Sequence, residues 1–297
     1  MSMVQGPPGV DLRLRYFRYM PANVYPQVAA GVYFAIGVIL IIQTIRSKAQ
    51  AWLYVLAGTA IFEAVGYAFR AACVYETTLA LFLLQLLIIL LPINAIALFN
   101  YKVTGKIISD SLTAKPKYLW LRPKFVYWFY FASDVFSVLM QGAGGAMMGK
   151  VTTRAKAKTV ALIGLCVQLL FLGCYMTTTV YVWRKPEYIV HAGPRDKSPQ
   201  AAKRKVMINI ISTTTLLYVR SIYRIAEFAD NTIYSTEWAF YVFDTLVIFF
   251  AFVIYIVLFI GPNFPRKSAG LEKQLSYISV EEANAQSLST RLTDKDY

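Results

Sequence analysis

Seven apolar runs divide the chain, near residues 24–45, 50–74, 78–101, 124–148, 158–183, 206–229 and 237–260. Each is close to or above the roughly 20 residues that a helix needs to cross a hydrocarbon core about 30 Å thick. Polar stretches separate them, and none shows the period-two alternation of a half-buried strand. The pattern predicts an all-α, polytopic membrane protein, a seven-transmembrane-helix bundle over residues 24–260. Residues 1–23 form an N-terminal tail, and residues 261–297, rich in Ser, Glu and Lys, read as a disordered tail. Pro26 suits the first turn of the first helix, where a missing N–H is harmless, and Gly261-Pro262 stops the last.

Polar positions inside the runs recur at helical spacing. Glu63, Tyr67 and Arg70 fall in the second run, Gln85, Pro92 and Asn94 in the third. Asp134, Ser137 and Gln141 fall in the fourth, and Gly164 and Gln168 in the fifth. The sixth carries Arg220, Arg224 and Glu227 with Tyr223 beside them, and the seventh Glu237, Tyr241 and Asp244. Spacings of three, four and seven line each set along one helix face. A charge at bilayer depth costs several kcal/mol by insertion scales, so these stripes must face a protein or water-filled interior. The four acidic and three basic residues within the spans nearly balance, as burial in a low dielectric requires. Arg224 and Glu227 read either as an ion pair locking two helices or as ligand groups. Arg220 and Asp244, lying deeper, read as ligand or proton groups, and Glu63, Asp134 and Asp244 as candidate proton carriers. Counting depth from the outer ends places much of this polar set in the outer half, so the interior is expected to open outward. The first run lacks such residues and is expected to be peripheral.

Composition supports a membrane chain. Hydrophobic residues make up 57%, charged residues 15%, and mean hydropathy is +0.49; soluble domains carry about 25% charged residues. The net charge of +14 lies between the runs, where it orients the bundle and meets anionic lipid rather than nucleic acid. The first, third and fifth loops and the C-terminal tail hold 2, 6, 7 and 5 Lys or Arg residues. The N-terminal tail and the second, fourth and sixth loops hold 3, 0, 4 and 0. The bias places the N-terminus outside and the C-terminus in the cytosol, with the fourth loop as the weak point.

Known chemistries find no support in the residues. One histidine, His191, and three scattered cysteines give no metal or haem ligand set and no disulfide framework. No G-x-S-x-G elbow, P-loop or H-E-x-x-H occurs, and the last run has no lysine for a retinal Schiff base. The expectation is a non-enzyme without cofactor or metal. The N-terminus has no apolar signal-peptide core, so the first span reads as an uncleaved anchor.

Taken together, E63-x-x-G-Y-x-x-R70, Q85-x6-P92, D134-x-x-S-x-x-x-Q141-G, G164-x-x-x-Q168, R220-x-x-Y-R224-x-x-E227 and E237-x-x-x-Y-x-x-D244 resemble the fungal lipid-translocating exporter family, also called RTA-like or aminocholesterol-resistance proteins. The resemblance covers roughly residues 24–260. It implies a seven-helix protein with an outside N-terminus, in the plasma membrane. It further implies export of lipids or amphipathic compounds, such as sphingoid bases or sterol-like molecules, with tolerance of toxic compounds. Its partners would be membrane lipids and an amphipathic small molecule, with Glu63, Tyr67, Arg70, Gln85, Asp134, Gln141, Gln168, Arg220, Arg224, Glu227, Glu237, Tyr241 and Asp244 along the path. A seven-helix sensor or stress-response regulator without transport activity is the alternative.

Overall fold

The computed structural model describes residues 24–110, 122–147, 154–188, 190, 192–193, 196–229 and 237–265. The N-terminal tail, most of the C-terminal tail and His191 lie outside these residues. Seven long helices are present: α1 (Val24–Arg46), α2 (Tyr54–Tyr75), α3 (Leu79–Asp110), α4 (Pro123–Met147), α5 (Arg154–Arg184), α6 (Pro199–Ala229) and α7 (Glu237–Val257). No β-strand occurs among the described residues, only one isolated antiparallel bridge between Ala49 and Pro265. All but α4 are long and apolar enough to cross a membrane by that measure alone. α4 is diluted by Lys124, Asp134, Gln141 and three glycines, but it packs between α3 and α5 and completes the bundle.

Several helices outrun the apolar windows. α3 continues past Tyr101 to Asp110, while α5 starts at Arg154 and α6 at Pro199. The apolar count marks the hydrocarbon, whereas the helix ends where its caps lie. In α3 the extension carries an i,i+4 ion pair, Lys106–Asp110 at 3.2 Å. Thr78 caps the start of α3 by accepting from the Leu81 N–H at 3.2 Å, and Ser198 accepts from Ala201 at 3.1 Å ahead of Pro199. Lys158 caps the far end of α6, donating to the Ala229 carbonyl at 2.9 Å. That contact gives one of the fourth-loop lysines a structural role.

Each helix packs on its chain neighbour, and α7 returns to α1, so the seven close into a ring. The expected peripheral place of the first span therefore holds only for its outer face. Its inner face buries Tyr33, Ile36 and Leu40 against the bundle. Gly164 lets α5 touch α4: a Cβ there would sit 2.8 Å from Met140 Cβ and 3.0 Å from the Ser137 carbonyl oxygen. Gly144 does the same from α4, 2.8 Å from the Ala157 carbonyl oxygen.

The chain beyond α7 is not loose at residue 261. Gly261–Asn263 form a 3-10 turn, and Gln50 pairs with Phe264 and Pro265 by bonds of 3.1 and 3.0 Å. Asp196 accepts from Asn263 Nδ2 at 2.6 Å and from the Gly193 N–H at 3.0 Å. The start of the C-terminal tail is thus folded against the turn between α1 and α2 and the approach to α6.

Candidate functional site

The centre of the bundle is organised by Asp244. Its Oδ1 lies 2.6 Å from Arg220 Nε and 3.0 Å from Arg224 Nε, and its Oδ2 2.8 Å from Arg224 Nη2. Arg224 Nη1 reaches Glu227 Oε2 at 2.9 Å. All four side chains are buried. Helical spacing puts Arg220, Arg224 and Glu227 on one stripe, and α6 keeps them there. The Arg224–Glu227 ion pair read from the sequence is present, and Asp244 joins both arginines to it in one cluster that ties α6 to α7. Asp244 serves both arginines with both oxygens, which leaves it no free oxygen for the proton-carrying role that its depth suggests.

Asp244 reaches this position because α7 is not a regular α-helix. Tyr241–Leu246 form a π-helical turn between α-helical flanks. Such turns are rare and cluster at functional sites. The α-helical spacing expected for Glu237, Tyr241 and Asp244 therefore breaks at this point, and Glu237 sits half-buried at the first turn. The π turn is gripped at Thr245. Tyr33 donates to its carbonyl oxygen at 2.6 Å, and the Tyr67 hydroxyl lies 2.6 Å from its Oγ1. The two tyrosine rings stack at 5.4 Å.

One turn away, Arg70 completes this end of the cluster. Its guanidinium lies 4.1 Å from the Phe240 ring centroid, and that of Arg224 lies 5.3 Å from the same ring. Phe240 thus separates two like charges while attracting both. Arg70 also donates to Gln85 Oε1 at 3.5 Å and to the Tyr241 hydroxyl at 3.4 Å. Glu63, 1% exposed, lies in this interior with its Oε2 lacking a hydrogen-bond partner.

A second polar group lies between α3, α4 and α5. Gln168 donates to Asn94 Oδ1 at 2.9 Å and accepts from Gln141 Nε2 at 3.1 Å. Gln141 also donates to Ser137 Oγ at 2.8 Å, and Ser137 donates to the Gly164 carbonyl at 2.6 Å. Asp134 stands apart from this group. It is 3% exposed, and the Tyr101 phenol lies beside it as a hydrogen-bond donor.

Asp134 lines a cleft of about 580 Å³ between α2, α3 and α4. Its mouth is formed by Val55 in the first turn of α2 and by Phe62, Leu91, Val135 and Leu139 further along their helices, all at least 40% exposed. Surfaces of that kind face lipid, so the cleft opens sideways into the bilayer.

Other interior groups escape a reading of the sequence. Asn100 donates to Thr213 and Thr214 at 3.1 Å and accepts from Tyr255 at 2.6 Å, tying α3, α6 and α7 toward the opposite end. A lone Asn in the third apolar run and the Thr213–Thr215 run in the sixth are the available signals. Tyr33 has none, since a tyrosine in an apolar run also fits the core or an interface. Together the groups on α2, α3, α6 and α7 form a polar seam from Arg70 to Tyr255.

The chain is 29% identical over 202 residues, 66% of its length, to Protein RTA1 of Saccharomyces cerevisiae. It is 26% identical over 218 residues, 72% of its length, to Protein RTM1 of the same yeast, and 28% over 194 residues, 63% of its length, to Protoporphyrin uptake protein 1. These matches span 62%, 69% and 61% of the relatives' own lengths. No solved structure matches the chain. The model of the RTA1-like protein family matches residues 56–267, from α2 through the folded start of the C-terminal tail, and the chain belongs to that family.

Proposed function

We propose that this protein moves lipids or other amphipathic compounds across the membrane, exporting molecules of the sphingoid-base or sterol-like kind. The observation that carries the reading is the buried carboxylate of Glu63, which has an oxygen that no protein group satisfies. Asp244, by contrast, has both oxygens held by its arginine partners. A carboxylate left unsatisfied at bilayer depth is costly, which makes such groups functional candidates. The polar seam supplies a hydrophilic route inside an apolar ring, and Pro92 within α3 supplies a place to bend, since its missing N–H leaves the Ile88 carbonyl without its helical partner. The name of the protoporphyrin uptake relative agrees with passage of an amphipathic compound. The sequence carries no P-loop, and movement is facilitated or coupled to an ion gradient through Glu63. The charge bias of the loops supports an N-terminus outside and a C-terminus in the cytosol, and the family resemblance points to the plasma membrane.

Reconstitution tests the reading. Vesicles containing the purified protein and a fluorescent sphingoid base or lipid should show transbilayer movement above protein-free vesicles. A protein that binds such a ligand without moving it is a sensor, and the transport reading fails.

A further inference from the structure

We infer that Arg220 is the positioning residue for proton exchange at Glu63. Its guanidinium turns from Asp244 toward Glu63 when that carboxyl loses its proton, and returns when the proton is regained. This deepens the transport reading, since it rests on Glu63 exchanging a proton as substrate moves.

The two arginines of the cluster are used unequally. Arg224 spends its donors on two carboxylates, with Nε and Nη2 on Asp244 and Nη1 on Glu227. Arg220 meets Asp244 Oδ1 at 2.6 Å as a charge contact, yet its Nε and Nη2 have no hydrogen-bond partner. A guanidinium carries five N–H donors in a rigid fork, and at 3% exposure these are shut away from bulk water. Glu63, 1% exposed, is the complementary group, with Oε2 an acceptor that has no donor. The charges of Asp244, Arg220 and Arg224 all reach it. When Arg220 turns away, Asp244 keeps a donor on each oxygen from Arg224. The turn therefore gives up one charge contact and no hydrogen bond.

The charge count sets the direction. Arg220, Arg224, Asp244 and Glu227 are neutral as a set of four. Glu63 leaves that balance intact only while it holds its proton. Release of the proton to solvent changes no other covalent bond and adds one negative charge to a buried, balanced set. An uncompensated charge there is expensive, and Arg220 is the cation with spare donors. The other groups around Glu63 are committed. Tyr33 on α1 and Tyr67 on α2 have their hydroxyls on Thr245. Arg70, seven residues along α2, is taken up by Gln85, Tyr241 and Phe240. On α3 no charged side chain occurs between Leu79 and Asn100. Gln85 Nε2 also lacks a partner, but an uncharged amide donates to a carboxyl in either state and does not select between them. Tyr67, one turn from Glu63, ties α2 to α7 and keeps the carboxyl beside the cluster.

The test uses the full-length protein in lipid vesicles. Infrared difference spectra across pH follow the Glu63 carboxyl band, identified by its absence in Glu63→Gln. A nearby cation favours the charged carboxylate, so removing it favours the protonated form. Arg220→Gln should raise the midpoint at which the band titrates by at least about one pH unit. The midpoint of the flux profile should move with it. Arg220→Lys keeps the charge and should hold both midpoints near the wild-type values. Solid-state NMR of protein carrying isotope-labelled arginine covers a folding failure of Arg220→Gln. The Arg220 side-chain resonances, assigned by their loss in Arg220→Lys, should move over the same pH range as the band. In Glu63→Gln they should stay fixed. A midpoint unmoved by Arg220→Gln, or Arg220 resonances that ignore the titration of Glu63, overturns the inference. Flux of a fluorescent sphingoid base is read on the same preparations. A band and resonances that titrate together without flux keep the inference and remove the transport reading. Flux that varies with pH while the Arg220 resonances stay fixed does the reverse.

Discussion

Arg224 holds both oxygens of Asp244, with Nε 3.0 Å from Oδ1 and Nη2 2.8 Å from Oδ2. The fork-to-fork geometry fixes α7 against α6 in register as well as in charge. Removing one member of a buried pair typically costs about 3–5 kcal/mol because the remaining charge is stranded. Asp244→Ala strands two guanidiniums and should cut folded yield most. Glu227→Ala removes one of three contacts to Arg224 and should cut it less. The double exchange Arg224→Glu with Glu227→Arg should not recover the yield, because Glu at 224 would face Asp244. Fluorescence-detected size exclusion of the detergent-solubilised variants gives this order directly, and recovery by the exchange would contradict it.

Tyr33 reaches across from α1 to the Thr245 carbonyl in the π-helical turn. Tyr33→Phe leaves that carbonyl without the hydroxyl while keeping the ring stacked on Tyr67. Losing one such hydrogen bond costs about 0.5–1.5 kcal/mol, so the melting temperature should fall by a few degrees. Tyr67→Phe loses its bond to Thr245 Oγ1, and combining it with Thr245→Val should cost less than the two separate losses added. Strict additivity in thermal melts would show that the two groups act independently.

Two glycines give opposite expectations for the same substitution. Gly164→Ala drives a methyl group against Met140 and the Ser137 carbonyl at 2.8 and 3.0 Å. It should part α4 from α5, weaken the Ser137–Gly164 bond, and destabilise by about 1–3 kcal/mol, as overpacking usually does. Gly58→Ala enters open space and replaces a poor helix former, so it should be neutral or slightly stabilising. Equal thermal stability of the two variants would mean that the α4–α5 contact is looser than described.

The loop charges predict a cytosolic C-terminus. A protease-cleavable tag after residue 297 should resist protease on intact cells and be cut after permeabilisation. Cleavage on intact cells would reverse the assigned orientation.

Much of the site is legible in the sequence because α6 is a regular helix. There, spacing alone puts Arg220, Arg224 and Glu227 on one face. The same arithmetic applied to α7 loses its register, since a π-helical turn changes the spacing without any signature residue at Tyr241–Leu246. Gln141 and Gln168 show as polar stripes, but the bond between them depends on how closely Gly164 lets α4 and α5 approach. The lateral cleft is illegible for a related reason. Leu91 and Leu139 look like ordinary lipid-facing residues, and only the separation of three helices turns them into a mouth. Helix ends depart from the apolar windows wherever polar caps carry a helix beyond the membrane, as in α3 and α6. The ties to Phe264 and Pro265 are hidden because backbone pairing requires no particular side chain.

Glu63 serves movement of the substrate and not the fold: on this claim the proposed function stands. The decisive measurement compares flux of a fluorescent sphingoid base in vesicles holding equal amounts of folded wild-type and Glu63→Gln protein, across a range of pH. Gln keeps the shape of the side chain and removes its proton exchange. Glu63→Gln should fold to normal yield, and its flux should fall about a hundredfold or more, the usual scale for loss of a proton-transfer group. Its residual flux should no longer vary with pH. Wild-type flux that persists unchanged in Glu63→Gln, with the same pH dependence, would contradict the claim.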